Sequence, residues 1–308
     1  MPYLELNRAD SIRRRLTAEQ YSKIRKLYEN AAKQAAKKAE GLKGSDNISA
    51  TYRVGYLMEL RRQLNAVLDE IEKELNISIP SAMRKAASAV AGETEGWLAE
   101  MGLSVEGAFS NVPDDIVKSV ITGQVYKNDW NLSRALWRNT KKAQSDIDTI
   151  IANGIAQNLS SYDIAKDLAK YVNPKAKKDW EWSKIYPGTT KKIEYNAFRL
   201  ASTMVSHAYQ QSFEMVNEMN PFVTGYKWLI SNSHRETCEV CRERASQNKY
   251  GLGKGVYPKG KLPLDHPNGL CTFAVVVPDN DKIVDDIAAW YKGAKNPKLD
   301  RFAASLKK

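Results

Sequence analysis

Cys238-Glu239-Val240-Cys241, followed after a glycine-rich stretch by Leu264-Asp265-His266-Pro267-Asn268-Gly269-Leu270-Cys271, decides how this chain is read. These segments hold all three cysteines of the sequence and one of its three histidines. Zinc in a structural role takes thiolate sulfur and imidazole nitrogen in a closed tetrahedral shell, and a Cys-x-x-Cys turn lets two thiolates converge on one ion. The reading is therefore a Zn2+ site of Cys238, Cys241, His266 and Cys271, architectural because no position is left open for water. A redox Cys238–Cys241 pair would follow a strand and open a helix in a thioredoxin-like setting. The polar flank Asn232-Ser233-His234-Arg235-Glu236-Thr237 does not suit that. His234 could replace one ligand, but a strand exit there leaves it solvated.

Working outward, the chain before this region reads as helix after helix. Thr17-Ala18-Glu19-Gln20 offers a capping box for a charged helix to about Glu40, with a break over residues 41–46. Leu57, Leu60, Leu64, Val67, Leu68, Ile71 and Leu75 recur at three and four positions, an amphipathic helix. Pro80 suits the first turn of a further helix that ends near Gly102. Pro113-Asp114-Asp115 starts another, and Leu136, Ala143, Ile147, Ile150, Ile151 and Ile155 form one stripe. Ser160 or Ser161 caps a helix carrying Ile164, Leu168 and Val172, stopped at Asn173-Pro174. A connector rich in Lys, Trp and Tyr over residues 175–192 precedes a long helix over 193–219, on which His207 has a packing or surface role.

At Asn220-Pro221 the pattern changes. Residues 225–231 alternate as a strand, 272–277 form a second, 281–291 a short helix, and 292–308 a basic tail. The expected fold is mainly α: an extended multi-helix body followed by a small α+β zinc-stabilised module with two or more short strands. The segments are an N-terminal helical region (1–112), a central helical region (113–219), the zinc module (220–280), and a short helix with tail (281–308).

The chain has 308 residues, 43% of them hydrophobic, and a formal net charge of +11. That sign favours an acidic partner such as nucleic acid, bound without base-reading. Arg13-Arg14-Arg15 and Lys37-Lys38 read as a solvated helix face or as such a footprint. No apolar run of spanning length and no leader-type N-terminus is present, which predicts a soluble chain with no membrane partner. No nucleophile elbow, phosphate loop or framed carboxylate pair appears, so no catalytic residue and no enzymatic activity are expected.

The order of helical body, long helix, strand with Trp228, Arg235, Thr237, Cys238, Cys241, Tyr257, Pro263, His266, Pro267, Asn268 and Cys271 resembles the minor head proteins of tailed bacteriophages, the Mu F-like head morphogenesis family. The family motif ends His-Pro-x-Cys-Arg-Cys, whereas this chain has Gly269 and Leu270 before Cys271. The resemblance implies a structural virion protein inside the capsid near the portal, made in the host cytoplasm. Its implied partners are the phage portal protein, a major capsid or scaffold protein, and double-stranded DNA held by non-specific electrostatics. Two rivals come from other classes. An HNH-like metal-dependent nuclease would use Asp265-His266 but needs a further metal-holding His or Asn downstream. A zinc-containing DNA-binding protein would need a groove-sized recognition helix after Cys241.

Overall fold

The computed structural model describes residues 3–43, 50–126, 130–176, 193–231 and 238–306. The Lys/Trp/Tyr-rich stretch over 177–192, and His234, Arg235 and Thr237, lie outside them. Nine α-helices and four short strands are present among the described residues. They are β1 (Tyr3–Glu5), α1 (Asn7–Glu40), α2 (Ala50–Glu100), α3 (Val112–Thr122), α4 (Leu132–Ala156), α5 (Ser161–Val172), α6 (Ile193–Met219), β2 (Gly225–Leu229), α7 (Glu239–Ser246), β3 (Val256–Tyr257), β4 (Thr272–Val276), α8 (Asn280–Tyr291) and α9 (Pro297–Ser305). The fold is mainly α with a small antiparallel sheet toward the C-terminus, as the sequence leads one to expect. Among the described residues no helix is long and apolar enough to cross a membrane.

The chain gathers into two compact units, each built from stretches far apart in sequence. One comprises Met1–Thr17, Pro80–Lys127 and Ser202–Lys308; the other comprises Ala18–Ile79 and Asn128–Ala201. Residues 220–280 fall in the first unit together with the start of α1 and the second half of α2.

Within the second unit the apolar stripes do what their period requires. Leu57, Leu60, Leu64, Leu68, Ile71 and Leu75 of α2 are all buried, as are Leu136, Ala143, Ile147, Ile150 and Ile151 of α4. Ile155, the last of that stripe, is exposed one residue before α4 ends. Helices α4 and α5 meet closely at Gly154, where a Cβ would lie 2.6 Å from Ile164 Cγ1. Ser160 caps α5 by accepting the Asp163 amide at 3.1 Å. The buried Asp146 carboxylate accepts from Tyr171 Oη at 2.9 Å and Lys142 Nζ at 2.6 Å, so this interior charge is fully partnered.

The first unit holds the sheet, in the order β1-β4-β2-β3 with every pairing antiparallel. Tyr226 faces Val275 and Trp228 faces Phe273 across the central pair. One face of the sheet packs on α6 through an aromatic layer. Phe273 lies 5.1 Å from Trp228 and 5.6 Å from Phe213, centroid to centroid, and Phe213 lies 5.4 Å from Tyr226. Edge-to-face arrangements of this kind add to the area they bury.

Three expectations about element boundaries fail for identifiable reasons. Helix α1 begins at Asn7, ten residues before the capping box at Thr17. Its first turn is satisfied from α2, because the Glu93 carboxylate accepts the amides of Arg8 and Ala9 at 3.1 and 2.6 Å. Thr17 is a helix-interior residue whose Oγ1 donates to the Arg13 carbonyl at 3.0 Å. Pro80 does not start a helix but sits inside α2, where the chain passes from one unit to the other. The basic tail contains α9, capped by the Asn296 side chain. The start of α3 at Val112, one residue before Pro113, the end of α5 at Val172, just before Asn173, and the span of α6 agree with the sequence reading.

Candidate metal centre

Each ligand-type side chain is placed by a different local device. Cys238 is the N-cap of α7, its Sγ accepting the Cys241 amide at 3.4 Å, so one turn of helix turns both sulfurs the same way. The Cys-x-x-Cys pair thus opens a short helix that runs through Arg242, Glu243 and Arg244. That helix is eight residues long and ends at Ser246, too short for a groove-sized recognition element. His266 lies in the loop between β3 and β4. Its Nδ1 faces the Pro267 carbonyl at 3.1 Å, and since a carbonyl can only accept, Nδ1 carries the proton and the Nε2 lone pair is left for a ligand. Cys271 immediately precedes β4 and is buried.

These donors meet at Cys241, with Cys238 and His266 on one side of it and Cys271 on the other. His266 Nε2 is 3.3 Å from Cys238 Sγ and 3.1 Å from Cys241 Sγ, and Cys241 Sγ is 3.3 Å from Cys271 Sγ. They form two triads sharing Cys241: Cys238, Cys241 and His266 in one, Cys241, Asp265 and Cys271 in the other, the donor atoms of each lying within 4.8 Å of one another. Asp265, which offers a donor atom to the second group, was not among the ligand residues read from the sequence. The cluster could hold a metal ion, and its mixture of soft thiolates with imidazole is compatible with zinc.

No protein-family model, curated protein or solved structure matches this chain.

The electrostatics of the cluster fit a cation. Burial pushes the Cys241 thiol up, reinforced by Cys238 and Cys271 beside it, because a third anion in a shared site is unfavourable. At Cys238 burial also acts upward, but hydrogen bonding with Cys241 and proximity to His266 outweigh it and hold the thiol below its ordinary value. A divalent ion at the centre would deprotonate all three thiols and remove that conflict.

The ligand loop is held almost entirely through its backbone. Gln210 on α6 donates from Nε2 to the Pro263 carbonyl at 2.9 Å and accepts the Asp265 amide at 2.8 Å. His207, one turn earlier, is 3.0 Å from the Asp265 carbonyl through Nε2, while its Nδ1 accepts from Tyr126 Oη at 2.7 Å. Thr203 Oγ1 accepts the Asn268 amide at 2.8 Å, stabilising a residue at φ 62°. Arg244 of α7 donates to the Leu264 carbonyl at 3.0 Å and lies 4.9 Å over the Trp228 ring. Tyr257 Oη donates to the Arg244 carbonyl at 2.9 Å. Tyr257, Pro263 and Asn268, which carried part of the family resemblance, therefore serve as supports.

Arg13 overturns a sequence expectation. Neither solvated nor presented to nucleic acid, it is 1% exposed and donates to the carbonyls of Leu270 at 3.0 Å and Cys271 at 3.2 Å. Asp10 pairs with it, and its guanidinium lies 4.8 Å over the Tyr209 ring. The first turns of α1 thus clamp the backbone at Cys271, while β1 zips onto β4 directly after it.

Proposed function

We propose that this chain is an assembly protein of the tailed-phage minor head type, its C-terminal lobe locked by a structural zinc ion. The observation that carries the reading is the mode of support at the metal centre. Gln210, His207, Thr203, Arg244 and Arg13 all bond to backbone groups of the loop over 263–271. Such bonds fix a chain path, and none of them prepares a reacting atom. Zinc at a site of this kind contributes about 10 kcal/mol or more to folding in small domains. Such an ion would hold together the loops that join β2, β3 and β4, of which β3 is only two residues long.

The remaining features support the assembly role. A net charge of +11 suits close contact with packaged DNA through phosphate neutralisation, with no base-reading element required. The long helices α1 and α2, 34 and 51 residues, offer surface for docking on a portal ring or capsid lining. The protein would lie inside the head near the portal vertex, after synthesis in the host cytoplasm. The test is co-expression with candidate portal and capsid proteins followed by purification of rings. Stable co-purification with a portal ring, with no nicking of plasmid in the presence of magnesium, is the expected result. Magnesium-dependent cleavage that disappears in His266→Ala would overturn it.

A further inference from the structure

We infer that Asp265 is itself a ligand of the metal centre, its Oδ2 joining Cys241 and Cys271 around the ion. This rests on the metal reading above and alters it: beside Cys238, Cys241, His266 and Cys271 the carboxylate is a fifth donor, so the shell is five-coordinate and not the closed tetrahedron expected from the sequence. The two oxygens of this carboxylate are in different situations. Oδ1 accepts the His266 amide at 2.8 Å and lies 3.8 Å from Arg244 Nη1. Oδ2 is buried and has no hydrogen-bond partner. A buried carboxylate oxygen left bare is costly, and the residue is 5% exposed, so bulk water does not relieve it. The nearest electrophile the site could offer is a cation held by the thiolates of Cys241 and Cys271, with which Asp265 shares a 4.8 Å triad.

The residue is also fixed in place. Its amide is held by Gln210 and its carbonyl by His207, both from α6, so the carboxylate has little freedom to turn toward solvent. Room for it exists only because position 269 is glycine: a Cβ there would overlap all three carboxylate atoms of Asp265. Gly269 is one of the two positions at which this chain departs from the motif it resembles. Here the absent side chain is the space the carboxylate occupies. Arg244, 3.8 Å from Oδ1, lessens the charge that a carboxylate adds to three thiolates.

The test begins with the unaltered protein loaded with zinc. Extended X-ray absorption fine structure should show two light scatterers per ion, the His266 nitrogen and the Asp265 oxygen, beside the sulfurs. Three sulfurs with a single light atom would overturn the inference without needing any variant. In parallel, chelator competition on Asp265→Asn should show zinc affinity lowered at least about tenfold, the scale on which groups around metal sites act. Gly269→Ala, which displaces the carboxylate, should show a loss in the same direction. Affinity within twofold of wild type in Asp265→Asn, while Cys238→Ser and Cys271→Ser lose zinc, would sink this inference and leave the metal reading standing. A wild-type chain that takes up no zinc would sink both.

Discussion

Arg13→Ala should damage the metal lobe out of proportion to its distance in sequence from any ligand. The guanidinium is 1% exposed, donates to two carbonyls, pairs with Asp10 and lies over Tyr209. Hydrogen bonds from a charged donor contribute about 1.5–3 kcal/mol each, and a desolvated cation–π contact about 2 kcal/mol. Against these stands the desolvation of the charge itself, so the net loss should be nearer the about 3–5 kcal/mol typical of removing one partner from a buried pair. Asp10 keeps Arg14 at 2.6 Å, which limits the damage at that end. Where metal binding and folding of the lobe are coupled, about 3 kcal/mol appears as about a hundredfold loss of zinc affinity. Hydrogen exchange read on the peptide covering 270–276, together with chelator competition, measures both. Arg13→Lys should fall between wild type and Arg13→Ala, since one ammonium cannot reproduce the planar fork. Unchanged protection of β4 and unchanged zinc affinity in Arg13→Ala would refute the claim that the start of α1 clamps the ligand loop.

Acid should weaken the same unit through His207. Burial lowers its pKa to about 4, so between about pH 6.5 and 4 the unfolded chain binds a proton that the folded one refuses. Its contribution is present above pH 6.5 and lost as pH falls, up to about 3 kcal/mol, and His207→Gln should show a correspondingly shallower loss of stability over that window in urea unfolding. Glu214 on the same helix acts in the opposite sense: burial raises it to about 7, so its contribution is present below pH 4.5 and lost as pH rises through 7. Because Glu214 is common to both proteins, the difference between their slopes isolates His207; identical slopes would contradict the assignment. Chelation should abolish hydrogen-exchange protection across residues 256–276 while leaving α4 and α5, which belong to the other unit, protected. Gly154→Val should lower the thermal midpoint of that other unit, because Ile164 lies 2.6 Å from the added Cβ and overpacking costs about 1–3 kcal/mol.

The helical body and the metal donors were legible for different reasons. A stripe such as Leu57-Leu60-Leu64 announces a helix because burial follows its period, and Cys238, Cys241, His266 and Cys271 announce a site because so few residue types bind soft ions. Arg13 was misread because its meaning lies in the carbonyls of Leu270 and Cys271, more than 250 residues away, and nothing local distinguishes a buried arginine from a solvated one. The capping box at Thr17 misled for a related reason: the cap that starts α1 is Glu93, supplied from another helix. Three residues, Tyr3-Leu4-Glu5, are too few to carry a strand period, and they pair only because β4 leaves an edge for them. Asp265 was read only as half of a nuclease-like step. Its role as a donor emerges from the bare Oδ2 and the space at Gly269, neither of which a one-dimensional pattern contains.

The most direct test is the zinc content of the purified full chain by native mass spectrometry, with Cys238→Ser and Cys271→Ser alongside. One tightly held zinc per chain, lost in both variants together with the ordered structure around β4, is the expected result. A wild-type chain that folds its sheet and carries no metal would contradict the account at its centre.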